Sequence, residues 1–358
     1  MDPVSVLASK RPLRTFIEEF VRETKKSNGQ KYCFVLGAGA SRDSGIKMAG
    51  ELAMGWLRQI HHERGIAVPF EAWIEDPAEI APDNPEMFKD FAPERAADFY
   101  FQIYDLYCVG DPQKGYEALN KEIDGKEPSF GYSVIANILA ETPNKVVITV
   151  NFDNLIADSL FTFSDKTPLV CAHETLAGFV PIVAERPVVA KIHRDRFYGP
   201  KSGLDEVSVL EEAWKRALRD LFRIYKPIFI GYGSNDHSLM SFLKEEENLM
   251  PRGYFWLLYD PSIEDSKATP ATLPDHIEDL LESRAGNWVP SPGFDGLMIL
   301  LHHELEYKYM HEDLIRRAEE RKNGRKPMST AWWNFIENTP LKFPTHPMPW
   351  PFAMRWPT

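Results

Sequence analysis

The chain has 358 residues, 44% of them hydrophobic and 26% charged, which is enough apolar material for a large core and too long for a small stapled scaffold. A formal net charge of −12 repels polyanions in the mean, so direct nucleic-acid binding is not indicated, whereas a nucleotide-sized ligand held by backbone N–H groups remains compatible. Cys33, Cys108 and Cys171 form no C-x-x-C pair and no apolar run reaches the roughly 20 residues of a membrane span, so a cytoplasmic protein with no structural zinc, disulfide framework or membrane contact is expected.

In chain order, residues 12–21 place Leu13, Phe16, Ile17, Phe20 and Val21 on one face at helical spacing, and Gly29 follows the polar end of that segment. Residues 31–36 read as a strand, and a helical pattern resumes from Met48 through Trp56 and Ile60. Residues 66–94 are rich in proline and acid, lack periodicity and read as irregular. Helical patterns at 94–107 and 129–141 follow, so residues from about 55 to 141 read as a mostly helical insertion between strands. Near-continuous apolar runs return at 145–150, 168–171, 188–192, 227–230 and 254–258. Such runs, separated by helices, predict an α/β fold with a Rossmann-like parallel sheet covered on both faces.

Ligands of open α/β sheets sit at the carboxyl ends of the strands, and four of these ends carry unusual residues. The first is Gly37-Ala-Gly-Ala-Ser-Arg-Asp-Ser-Gly45, where glycines permit close approach to a pyrophosphate and equally serve a plain strand-to-helix turn. The second, Ile148-Thr-Val-Asn-Phe-Asp-Asn154, puts Asn151 and Asp153 after a buried strand, where each needs a hydrogen-bonding partner; Asp153 also suits the cap of a helix over 154–163. The third, Val189-Ala-Lys-Ile-His-Arg-Asp195, ends on His193, which suits a proton acceptor or a structural histidine. The fourth, Ile228-Phe-Ile-Gly-Tyr-Gly-Ser-Asn-Asp236, is a second glycine pair with Ser234 or Asn235 placed to cap the next helix. The adjacent pairs His61-His62 and His302-His303 diverge on a helix or strand and read as non-ligands, so no metal is expected.

Together and in this order, over roughly residues 31–260, these four ends resemble the sirtuin (silent information regulator) superfamily. The resemblance implies that Gly37, Ala38, Gly39 and Ser41 meet the NAD diphosphate, Asn151 and Asp153 the nicotinamide ribose, His193 the reacting centre, and Gly231, Gly233 and Ser234 the ribose or adenosine side. The two C-x-x-C pairs of the protein deacylases are missing, Arg194 replaces the glycine that usually follows the catalytic histidine, and Gly45-Ile-Lys-Met-Ala-Gly-Glu-Leu52 replaces their Gly-Ile-Pro-Asp-Phe-Arg loop. These departures look like the bacterial sirtuin-like proteins of anti-phage defence. The implied activity is an NAD⁺ glycohydrolase with NAD as substrate, Asn151 and His193 catalytic, and Asp153 in cofactor binding. A non-catalytic dinucleotide-binding module and an ADP-ribosyl transferase stay open beside it.

A catalytic domain is expected over residues 1–310, followed at 311–358 by the end of a charged helical pattern (302–322) and a Pro/Trp-rich tail. Proline forbids a regular helix in the tail, while its Trp and Phe side chains offer apolar area suited either to packing on the same domain or to docking on another subunit or partner. A homo-oligomer is expected, and the resemblance implies a separately encoded ATPase or sensor as a possible partner.

Overall fold

Strand β2 (Tyr32–Leu36) is buried at every position, and its side chains divide by the twofold strand period: Tyr32, Phe34 and Leu36 enter one hydrophobic core, Cys33 and Val35 another. A strand buried on both faces belongs in the interior of a parallel sheet, and the computed structural model places it there. The structure describes residues 9–164, 166–193, 210–233, 237–284 and 286–305. Their strands are β1 (Ser9–Lys10), β2, β3 (Val146–Thr149), β4 (Leu169–Cys171), β5 (Val188–Lys191), β6 (Lys226–Ile230), β7 (Phe255–Tyr259) and β8 (Asn287–Ser291). They form one all-parallel sheet in the order β1-β8-β7-β6-β2-β3-β5-β4. The α/β, Rossmann-like sheet expected from the sequence is therefore present.

Helices cover both faces. On one face lie α1 (Leu13–Lys25), α5 (Phe130–Glu141), α6 (Leu155–Phe163) and α10 (Phe294–Glu304), which share a core with Phe34, Val147 and Val189. The opposite face is covered by α7 (Glu212–Ile224), α8 (His237–Glu245) and α9 (Asp275–Ser283), packed on Val35, Ile148 and Phe229. Between β2 and α5 stand α2 (Ala49–Glu63), α3 (Tyr100–Cys108) and α4 (Pro112–Ile123), which bury a separate aromatic core containing Trp56, Trp73, Phe88, Tyr104 and Tyr107. The insertion thus has its own core, whereas α5, read from the sequence as part of it, belongs to the layer on the sheet.

Four local features correct or add to the sequence reading. Helix α3 begins at Tyr100, not near residue 94, because Pro93 starts only a short 3₁₀ turn, Pro93–Arg95. Helix α4 was absent from the sequence reading; Asp111 caps it by accepting from the Gln113 amide, with Pro112 in its first turn. The irregular stretch 66–94 carries short turns that bury Trp73, Ile80 and Phe88. Strand β8 was also missed, because Pro290 sits inside it. Its tolerance follows from the parallel ladder, in which alternate residues bond to opposite neighbours. The Asn287 amide and the Ser291 carbonyl bond toward β7, and the Trp288 carbonyl bonds toward β1. Pro290 therefore points its nitrogen to the side where two-residue β1 has already ended, and no ladder bond is lost. The charged pattern beyond residue 305 and the whole Pro/Trp-rich tail lie outside the described residues.

Candidate functional site

The chain crosses from one side of the sheet to the other between β2 and β6, so the carboxyl ends of those two strands form the topological switch point. Register makes the placement sharper. Ile230, Leu36, Thr149 and Lys191 pair in one continuous row across β6, β2, β3 and β5. The four turns singled out in the sequence leave this one row side by side.

The two glycine turns interlock. The Gly37 amide donates to the Ile230 carbonyl at 3.1 Å and the Gly39 amide to the Gly231 carbonyl at 2.8 Å. A Cβ on Gly37 would stand 2.5 Å from Tyr232 Cα, and one on Gly39 would stand 2.7 Å from Gly231 Cα. Gly231 itself has φ +62°, and its Cβ would meet the Ala40 nitrogen at 2.3 Å. These glycines thus answer a backbone-packing demand, and the amides of Gly37 and Gly39 are engaged within the protein.

Beside them lies a buried polar network. Asn151 Nδ2 donates to the Gly37 carbonyl at 3.0 Å and to Ser41 Oγ at 3.1 Å, while Ser41 Oγ donates to Asp153 Oδ2 at 2.7 Å. A hydroxyl has one proton and two acceptor lone pairs, so Tyr132 OH, 2.9 Å from Ser41 Oγ, is the donor of that pair. Burial pushes the Tyr132 hydroxyl well above 10, which keeps this proton in place. Asp153 Oδ1 also accepts from the Leu155 amide at 3.1 Å, so Asp153, one residue before the Asn154 N-cap, satisfies the first amide of α6 and joins the network. Burial raises the Asp153 carboxyl above 3.8, opposed by the Ser41 hydrogen bond and the charge of Lys191.

Lys191 and Tyr132 were not singled out in the sequence. Lys191 ends β5 and is 1% exposed. Its ammonium donates to the carbonyls of Phe152 (3.0 Å) and Asp153 (2.7 Å) and to Asn154 Oδ1 (2.7 Å), so β5 holds the turn after β3 from below. The available signal was a lone lysine inside Val188-Val-Ala-Lys-Ile192, since a fully buried charge needs partners. Tyr132 carried no such signal, because it falls on the apolar face of a helix.

A cavity of about 230 Å³ opens above the network. Its lining combines Ala38, Ser41, Asn151, Asp153, His193, Gly231 and Gly233 from the strand ends with Leu52, Tyr100, Phe101, Leu119 and Ile123 from the insertion. Of the site residues expected from sequence, Gly37 and Gly39 are not among the lining residues, while Ser234 and neighbouring Arg194 fall outside the described residues. His193 is 5% exposed and faces the cavity from the end of β5. Among the described residues no group of three His, Cys, Asp or Glu is placed to hold a metal, and no helix is long and apolar enough to cross a membrane.

Residues 145–282 match the family model described as SIR2-like domain. That stretch carries Asn151, Asp153, Lys191, His193 and Gly231, and leaves the first glycine turn outside. No curated protein matches the chain. Among solved structures, a Sir2 homolog in complex with NAD is similar over 84% of this chain and 96% of that chain, at 14% identity and a TM-score of 0.41.

Proposed function

We propose that the chain is an NAD⁺ glycohydrolase that cleaves the nicotinamide–ribose bond to give nicotinamide and ADP-ribose. The observation that carries this reading is the convergence of all four strand-end turns on one cavity with Asn151, Asp153 and His193 in its wall. The SIR2-like match over three of those turns supports it. A ribose bonded to a cationic pyridinium already carries a good leaving group. The protein's task is then to orient the sugar, stabilise oxocarbenium-like charge and admit one water. The network through Ser41 and Lys191 gives Asn151 and Asp153 fixed positions against the ribose, and His193 accepts the proton of the attacking water or of a ribose hydroxyl.

The test is to follow nicotinamide and ADP-ribose released from NAD⁺ by the purified chain, alone and with the product of a neighbouring gene. Release of both supports the hydrolase. Binding without release supports a dinucleotide-binding module, and loss of ADP-ribose to an added acceptor supports a transferase.

A free NAD⁺ hydrolase harms its own cell, so we further propose a conditionally activated cytoplasmic effector of anti-phage defence. It would act as a homo-oligomer or with an ATPase or sensor, through the tail at 311–358. Truncation after Asn323 should yield a folded protein that no longer assembles, and an unchanged mass by light scattering would exclude that role for the tail.

A further inference from the structure

Among the described residues that line the cavity, Lys47 is the one lysine or arginine, and Glu122 and Asp153 are the carboxylates. Asp153 is held by Ser41 and the Leu155 amide. In the first glycine turn, the Gly37 and Gly39 amides donate to the Ile230 and Gly231 carbonyls. A chain with a formal net charge of −12 supplies no favourable background for a diphosphate either.

Lys47 is engaged by Glu122 through both carboxylate oxygens. Its ammonium lies 2.9 Å from Oε2, and its backbone amide donates to Oε1 at 3.1 Å. The pair ties the loop after the first glycine turn to α4, the last helix of the insertion, and the two side chains are 57% and 14% exposed. An ion pair with a half-exposed member is weak and exchanges partners readily. An incoming phosphate offers Lys47 a doubly anionic, multi-oxygen acceptor in place of one carboxylate.

We infer that Lys47 is the cation that meets a phosphate-bearing ligand in this cavity, and that Glu122 is the competitor it leaves to do so. The inference rests on the nucleotide-cleaving reading above and adds a residue pair that sets affinity for the diphosphate. Glu122 acts as a built-in anion mimic: it neutralises Lys47 in the empty cavity and repels phosphate until the exchange occurs.

The experiment is calorimetric titration of the full chain, Glu122→Gln and Lys47→Ala with two probes. ADP-ribose carries the diphosphate; nicotinamide riboside carries base and ribose without phosphate. Glu122→Gln should tighten ADP-ribose about two- to fivefold, the worth of a partly exposed ion pair. Lys47→Ala should weaken it about tenfold or more, the scale of one charged hydrogen bond. Riboside binding should change in neither variant, and thermal unfolding of the same samples should confirm that both fold. ADP-ribose affinity equal in all three proteins would overturn the inference while leaving the site reading intact. Equal shifts for both probes would also overturn it, because they would assign the pair a role in shaping the loop. A wild-type chain that binds neither probe would overturn the inference and the site reading together.

Discussion

Replacing Lys191 by Met removes the ammonium that fastens the turn after β3 while keeping an unbranched apolar stem of similar length. Three acceptors then lose their donor: the carbonyls of Phe152 and Asp153 and Oδ1 of Asn154. Water can reach the partly exposed Phe152 carbonyl, whereas the bond to the Asp153 carbonyl is buried. Unpaired buried acceptors cost about 1–3 kcal/mol each. The Asp153 carboxylate also loses the positive charge that opposes its burial. Breaking a buried charge arrangement on one side typically costs about 3–5 kcal/mol, and we expect Lys191→Met to fall in that range. For a chain of 358 residues the change corresponds to roughly 5 °C in Tm. Activity should fall by about 100-fold even where the variant is fully folded, because Asn151 and Asp153 sit on the loosened turn. Urea unfolding combined with nicotinamide release at a temperature well below both transitions checks both parts. A variant within about 0.5 kcal/mol of wild type and fully active would refute the assignment of Lys191 as a positioning residue.

Gly231→Ala forces a side chain onto backbone at φ +62°, with a Cβ 2.3 Å from the Ala40 nitrogen; the strained conformation and the overlap together should cost about 2–4 kcal/mol, read by thermal unfolding, and a cost below 0.5 kcal/mol would disprove the interlock. Asp153 has its folded carboxyl raised above 3.8, so the folded state binds more protons than the unfolded one. Its stabilising contribution is fully present below pH 3.8 and is lost as pH rises through the raised value. The stability of Asp153→Asn relative to wild type should therefore improve as pH climbs from below 4 toward neutrality, and a pH-independent difference in urea unfolding would contradict the burial argument.

Much of the sheet was legible because its central strands are buried on both faces. Runs such as Val146-Val-Ile-Thr149 leave no polar side for water, and their order of recurrence along the chain matches six of the eight strands. Strand β8 was hidden by Pro290, whose harmlessness depends on β1 ending two residues earlier in space, a tertiary fact. Helix α4 was hidden because it buries few positions, Gly115 and Leu119, so little apolar sequence marks it. For the site, the strand ends could be named since polar residues after buried strands demand partners. What those residues do for one another could not: Asn151 reaches Gly37 across 114 positions and Ser41 reaches Asp153 across 112. The partners that Asp153 needed are both within the protein: one carboxylate oxygen accepts from the Leu155 amide at the start of α6 and the other from Ser41.

The most direct test of the central claim measures NAD⁺ turnover and thermal unfolding on the same samples of wild type, His193→Ala, Asn151→Ala and the double variant. Two groups that serve one reacting geometry act as a unit. Each single change should lower nicotinamide release by about 100-fold or more with the fold retained, and the double variant should be little worse than either single one. If His193 and Asn151 are purely structural, the variants will instead melt earlier and turn over NAD⁺ at nearly the wild-type rate while folded, and that result would contradict the account.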